Sequence, residues 1–140
     1  MSDRSFLDTN IFIYVVDRVA PPQKSRRAAA LIREALTLQP GVISYQVIQE
    51  FINVTSKGRH AMNQTDVIEF IQTTLAPMLR IQSSLALFRE ALLLAGRYQI
   101  SWYDALIVSA ALEARCMVLY SEDLQDGMKI GELTIVNPFK

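Results

Sequence analysis

Scarcity is the first information this chain gives. It has one cysteine, Cys116, and one histidine, His60. A single cysteine excludes an internal disulfide and fits a reducing compartment. Lying at the end of an apolar helix, Cys116 reads as packing rather than as a nucleophile. Net charge is missing too, because 14 Lys and Arg balance 14 Asp and Glu. No overall basic field advertises nucleic acid, so any such role must rest on a local patch or on metal ions. No apolar run approaches membrane-spanning length, and the opening Met-Ser-Asp-Arg-Ser has no signal-peptide pattern. These absences predict a soluble, cytoplasmic protein with no membrane partner.

What is present is greasy for its size. Of 140 residues, 51% are hydrophobic and 20% charged, with a mean hydropathy of +0.19. That is enough for one domain over residues 1–140 with a real core, and the excess predicts an apolar surface reserved for a second copy or a partner. Along the chain, short apolar runs alternate with helical patterns. Strands are expected at 6–7, 41–44, 79–82, 117–120 and 133–136, and helices at 11–16, 24–38, 45–57, 63–75, 84–98 and 102–115. This alternation predicts an α/β fold with a parallel sheet covered on both faces.

Against that pattern four acids stand in the wrong places. Asp8 arrives where the apolar strand Phe6-Leu7 should continue, and a carboxylate at the edge of a core is costly unless paired or bound to a cation. Glu50 completes the i, i+3, i+4, i+7 stripe of Val47, Phe51 and Val54. Asp104, three residues after Ser101 in capping-box spacing, heads the inward stripe Ile107, Val108, Ala111. Asp123 follows a buried strand two residues after Ser121. Each has an ordinary explanation alone: a turn, a helix cap, or an edge glutamate with its stem on apolar surface. Asp17, Glu34, Asp66, Glu69, Glu90 and Glu113 have only such explanations, as solvated charges. Taken together, however, Asp8 and Asp123 follow strands whose carboxyl ends share one edge of a parallel sheet, where open α/β folds bind ligands. Gathered carboxylates raise each other's pKa unless cations neutralise them. An all-oxygen set without His or Cys selects Mg²⁺ or Mn²⁺. The implied chemistry is metal-assisted phosphodiester hydrolysis.

These residues resemble those of a PIN-domain ribonuclease, specifically a VapC-type toxin of a type II toxin–antitoxin system. The matching segments are Phe6-Leu7-Asp8-Thr9-Asn10, Glu50, Trp102-Tyr103-Asp104-Ala105-Leu106-Ile107 and Leu119-Tyr120-Ser121-Glu122-Asp123. The resemblance implies a PIN-like three-layer α/β/α sandwich with about five parallel strands. It implies that Asp8, Glu50, Asp104 and Asp123 hold Mg²⁺ or Mn²⁺, with Thr9, Asn10 and Ser121 supporting them by hydrogen bonds. It further implies an RNA substrate such as tRNA or rRNA, a cognate antitoxin as partner, and a homodimer. One departure concerns the fourth acid: where many relatives have Thr-x-Asp-x-Asp, this chain has Ser121-Glu122-Asp123-Leu124-Gln125, and Asp126 falls one place later, outside the expected ligand set.

Candidates for RNA contact are Lys57 and Arg59, beside His60, together with Trp102; a second basic group is Lys24, Arg26 and Arg27. Phosphate contacts of that kind are sequence-independent, and a solvated basic face or a packed Trp102 is the plainer reading of each. Two rival functions remain. A non-catalytic PIN-like scaffold binding RNA or protein would generally have lost an acid. An aspartate-dependent phosphatase using Asp8 as nucleophile would usually carry a second Asp where this chain has Asn10.

Overall fold

Strand β1, Ser5–Leu7, is buried along its whole length and is the axis of the molecule. The computed structural model describes residues 4–38 and 40–140. Around β1 the chain lays β2 (Gly41–Ser44), β3 (Leu79–Ile81), β4 (Val118–Tyr120), β5 (Lys129–Ile130) and β6 (Leu133–Val136) in the order β3-β2-β1-β4-β6-β5. The first five in that order run parallel. In sequence, β1 to β3 build outward on one side, and the chain then crosses back to place β4 on the other. The direction reverses between β1 and β4, whose register pairs Leu7 with Tyr120. A crevice at the carboxyl ends of two such strands is the usual ligand position of an open α/β sheet.

The expected sandwich is present, with one strand more than the sequence suggested. Strand β5 pairs antiparallel with β6 across a tight turn in which Gly131 adopts φ +62°, a conformation glycine enters without strain. Two residues are too few to show any periodicity, which is why this strand left no trace in the pattern.

Among the described residues six α-helices link the strands: α1 (Thr9–Val16), α2 (Pro22–Thr37), α3 (Tyr45–Thr55), α4 (Gln64–Phe70), α5 (Leu85–Tyr98) and α6 (Trp102–Glu113). Helix α1 packs with α2 and α3, and α5 packs on α6, the separation onto two faces that right-handed crossovers produce when the strand order reverses. Proline at the start of α2 supplies a helical φ where no hydrogen bond is lost. Asn63, Ser84 and Ser101 cap α4, α5 and α6 by accepting from backbone N–H groups in the first turn.

Helix α6 differs from its expected one-sided stripe. All seven residues from Ala105 to Ala111 are buried, because α5 covers the side away from the sheet and Ser109 satisfies its hydroxyl on the Leu87 carbonyl at 2.9 Å. The apolar excess of the composition surfaces chiefly on α5, where Leu85, Leu92 and Leu93 are exposed. Among the described residues no helix is long and apolar enough to cross a membrane.

Candidate active site

Asp8 leaves the carboxyl end of β1 and caps α1. It is only 5% exposed. Its Oδ1 accepts from the Thr9 backbone N–H at 2.7 Å and its Oδ2 from the Ser121 hydroxyl at 2.8 Å. Burial pushes its carboxyl up to about 7, with the negative charges of Glu50 and Asp123 adding to the rise and the two hydrogen bonds opposing it. The Ser121 hydroxyl, wholly buried, also accepts from the Asp123 backbone N–H at 3.2 Å. One oxygen thus ties the first acid to the loop bearing the fourth.

Asp123 lies on the exposed rim, and the Asn10 amide donates to both its carboxylate oxygens at 3.2 Å. Burial against the neighbouring loop and the charges of Asp104 and Glu122 raise its carboxyl, while Asn10 lowers it. Glu50, half-buried on α3, is raised first by burial and then by Asp123 and Asp104; a 2.9 Å hydrogen bond from Gln46 pulls the other way. Asp104 sits in the first turn of α6, its backbone N–H donating to the Ser101 hydroxyl at 3.1 Å. All four acids therefore reach one edge of the sheet, where the charges of Glu50 and Asp123 act on Asp8 and the charge of Asp104 acts on Glu50 and Asp123. They do not converge further: among the described residues no three carboxylate, imidazole or thiol groups form a ready-made cation cage.

The supporting residues divide differently from their expected roles. Asn10 and Ser121 make the side-chain bonds just described. Thr9 supports Asp8 through its backbone N–H, and its own hydroxyl is buried without a partner. Glu122, between Ser121 and Asp123, is held by Lys24 Nζ at 2.6 Å and the Tyr14 hydroxyl at 2.5 Å. Burial opposes its ionisation, but these two donors keep its carboxyl below the usual range. Asp126 accepts from the Asn137 backbone N–H at 2.8 Å and serves to close its loop.

The basic residues are mostly engaged. Lys24 is committed to Glu122, and Arg27 donates to the Pro138 carbonyl at 3.2 Å, so this group acts as a clasp for the carboxyl-terminal segment rather than as an open face. Asp17, expected as a solvated loop charge, is instead shielded, with Arg59 Nη2 at 3.5 Å and His60 Nδ1 at 3.6 Å from its carboxylate. Arg59, His60, Lys24 and Asn10 share the wall of a cavity of about 360 Å³, which joins two basic groups that lie far apart in sequence. Lys57 is exposed. Trp102 is half-buried and packs against Phe88, their ring centroids 6.2 Å apart. Burial drives the Cys116 thiol up to about 12, which leaves it inert.

Two site residues escaped the sequence reading, Gln46 and Glu122. Gln46 carried a signal, being a polar residue one helical turn before Glu50 on a buried face. Glu122 carried none, because its partners Tyr14 and Lys24 lie about a hundred residues away.

A family model described as the PIN domain matches residues 5–125. Among solved structures the chain is similar to VapBC-1 of nontypeable Haemophilus influenzae, with a TM-score of 0.67, 20% identity, and 98% of this chain and 99% of that one covered. It is similar to a toxin–antitoxin complex from Klebsiella pneumoniae, with a TM-score of 0.66, 20% identity and coverage of 96% and 97%. It is also similar to VapC20 of Mycobacterium tuberculosis, described as a toxin that cleaves the sarcin–ricin loop, with a TM-score of 0.64, 17% identity and coverage of 85% and 89%. No curated protein matches the chain by sequence. At these identities the likeness carries the fold.

Proposed function

The chain belongs to the PIN domain family, and on that premise we propose that it is a Mg²⁺- or Mn²⁺-dependent endoribonuclease, the toxin of a toxin–antitoxin pair. The observation that supports this most strongly is the edge-of-sheet set Asp8, Glu50, Asp104 and Asp123. These four carboxylates come from four separate segments near the point where strand order reverses, with Glu50 and Asp123 acting on Asp8 and Asp104 acting on Glu50 and Asp123. Core packing alone gives no reason to bury Asp8 beside two other acids.

The donor set fits a hard divalent ion. It is all oxygen, which suits a cation that keeps several waters and takes one or two carboxylates directly, as Mg²⁺ usually does. Asp8 is the best-placed ligand, with Glu50, Asp104 and Asp123 completing the charge around it. When bound, the cation supplies an activated water and stabilises charge developing on a phosphoryl oxygen. The protein's own part is positional. Thr9 and Ser121 fix the Asp8 carboxylate, Asn10 fixes Asp123, and the Lys24–Tyr14–Glu122 cluster anchors the loop between them. Lys57, which is exposed, and Arg59, in the wall of the cavity shared with Asn10, are the side chains assigned to RNA phosphates; Trp102, engaged with Phe88, is better explained as packing.

The toxin role, with an antitoxin as partner, is supported by the toxin–antitoxin complexes whose fold this chain shares. A homodimer in the cytoplasm, built as a single domain, completes the reading. Purified protein is expected to cleave RNA with Mg²⁺ or Mn²⁺ and to stop when EDTA is added. Cleavage that persists in both Asp8→Asn and Asp104→Asn variants refutes the assignment. The alternative is a scaffold that binds RNA or protein without cutting it, and calorimetric titration separates the two: a scaffold takes up neither ion at millimolar concentration.

A further inference from the structure

Gln46 is a large polar side chain with only 4% of its surface exposed. Its amide nitrogen donates twice, to Glu50 Oε1 at 2.9 Å and to the backbone carbonyl of Tyr103 at 3.2 Å. These bonds fix which end of the amide is nitrogen, since the reverse orientation would set an oxygen against a carboxylate and a carbonyl, with no donor between them. The amide oxygen is then left buried and without a partner. Because it shares a carbon with the nitrogen, it lies within roughly 5 Å of the Glu50 carboxylate.

The unsatisfied oxygen is not isolated. The Thr9 and Ser44 hydroxyls are also buried without partners. Thr9 follows Asp8 directly, and the register that pairs Ser5 with Gly41 and Phe6 with Val42 brings Ser44 level with Asp8 two steps on. Buried polar atoms ordinarily find partners. Three without one, at the same edge as the acids, mark a place built to receive a hydrogen-bonding group from outside the chain.

We propose that Gln46 is a positioning residue of the acidic centre, orienting Glu50 and tying it to the turn that carries Asp104, while its oxygen accepts a hydrogen bond from the water shell of a divalent cation. This rests on the metal-dependent reading above and goes beyond it by assigning a role to a neutral side chain. An amide suits the task better than a carboxylate, since it supplies two donors toward acceptors and one acceptor toward the cation's waters without adding charge.

The test compares the intact protein with Gln46→Met, which keeps the side chain's length and removes its polar atoms. Calorimetric titration with Mn²⁺ is expected to show binding weakened about 10-fold or more, the usual consequence of losing a residue that supports a metal ligand. At saturating Mn²⁺, kcat for RNA cleavage is expected to fall with KM unchanged. Unaltered Mn²⁺ affinity in Gln46→Met overturns the role of Gln46 and leaves the nuclease reading standing. An intact protein that neither binds Mn²⁺ nor cleaves RNA overturns both. Should Gln46→Met fail to fold, NMR of the unaltered protein decides: the Gln46 side-chain amide protons are expected to shift on adding Mg²⁺. If they stay fixed while the backbone signals of Asp8 and Glu50 move, the proposal is wrong.

Discussion

At Asp8 the stability of the fold and the proposed role in catalysis oppose each other. Its carboxyl is raised from 3.8 to about 7, chiefly by burial, so between those values the folded chain holds a proton that the unfolded chain has lost. The stabilisation is complete below 3.8 and disappears as pH rises through about 7. Glu50 and Asp123 are raised as well and act in the same direction, whereas Glu122 is lowered and contributes stability that is lost on acidification. The metal-free protein is therefore expected to melt at progressively lower temperature as pH rises from about 4 to about 7, by an amount on the order of a few kcal/mol. Asp8→Asn should remove the Asp8 share of that slope and leave the part that Glu50 and Asp123 contribute. It is expected to raise metal-free stability at pH 8 by about 1–3 kcal/mol, read as a higher melting temperature, while abolishing RNA cleavage. A variant that is inactive but no more stable at pH 8 would mean that the buried charge is not what destabilises the apo protein.

Elements meet closely enough in this fold for single atoms to matter. A Cβ added to Gly41, at the start of β2, would stand 2.3 Å from the Ala35 Cβ on α2 and 3.1 Å from the Met78 sulfur. The Met78 sulfur sits on a flexible side chain and can shift, but the Ala35 Cβ is fixed to the helix backbone, whose Cα lies 3.1 Å away, so helix and strand must separate. Gly41→Ala is expected to cost about 1–3 kcal/mol, seen as a lower urea midpoint with an unchanged slope. The order and type of the elements were legible in sequence because apolar runs, proline breaks and capping serines all agree. Less legible was what each element faces. Helix α6 looked one-sided from its stripe, yet α5 buries its other side, and the Lys24 group looked like a solvated face until Glu122 and Pro138 arrived from the far end of the chain.

Across the whole molecule, folding assembles like charges that an unfolded chain keeps apart, so a cation that binds only the assembled form must stabilise it. At a hundred times its dissociation constant, Mg²⁺ or Mn²⁺ is expected to add about 2.7 kcal/mol, a rise of roughly 5–10 °C in melting temperature for a chain of this size. Differential scanning calorimetry at pH 8 measures it, and no shift at saturating metal would contradict a cation at the acidic edge. What the sequence determined alone was the kind of fold and the four acids, because hydrophobic periodicity is local and a carboxylate that breaks it is visible in place. Tertiary structure decided the rest: that these acids share one edge without closing into a cage, that Asn10 and Ser121 rather than the Thr9 hydroxyl hold them, and that Gln46 spans α3 and α6. Those are contacts between residues as many as 113 positions apart, and no local pattern records a partner brought near only by the crossing of the chain.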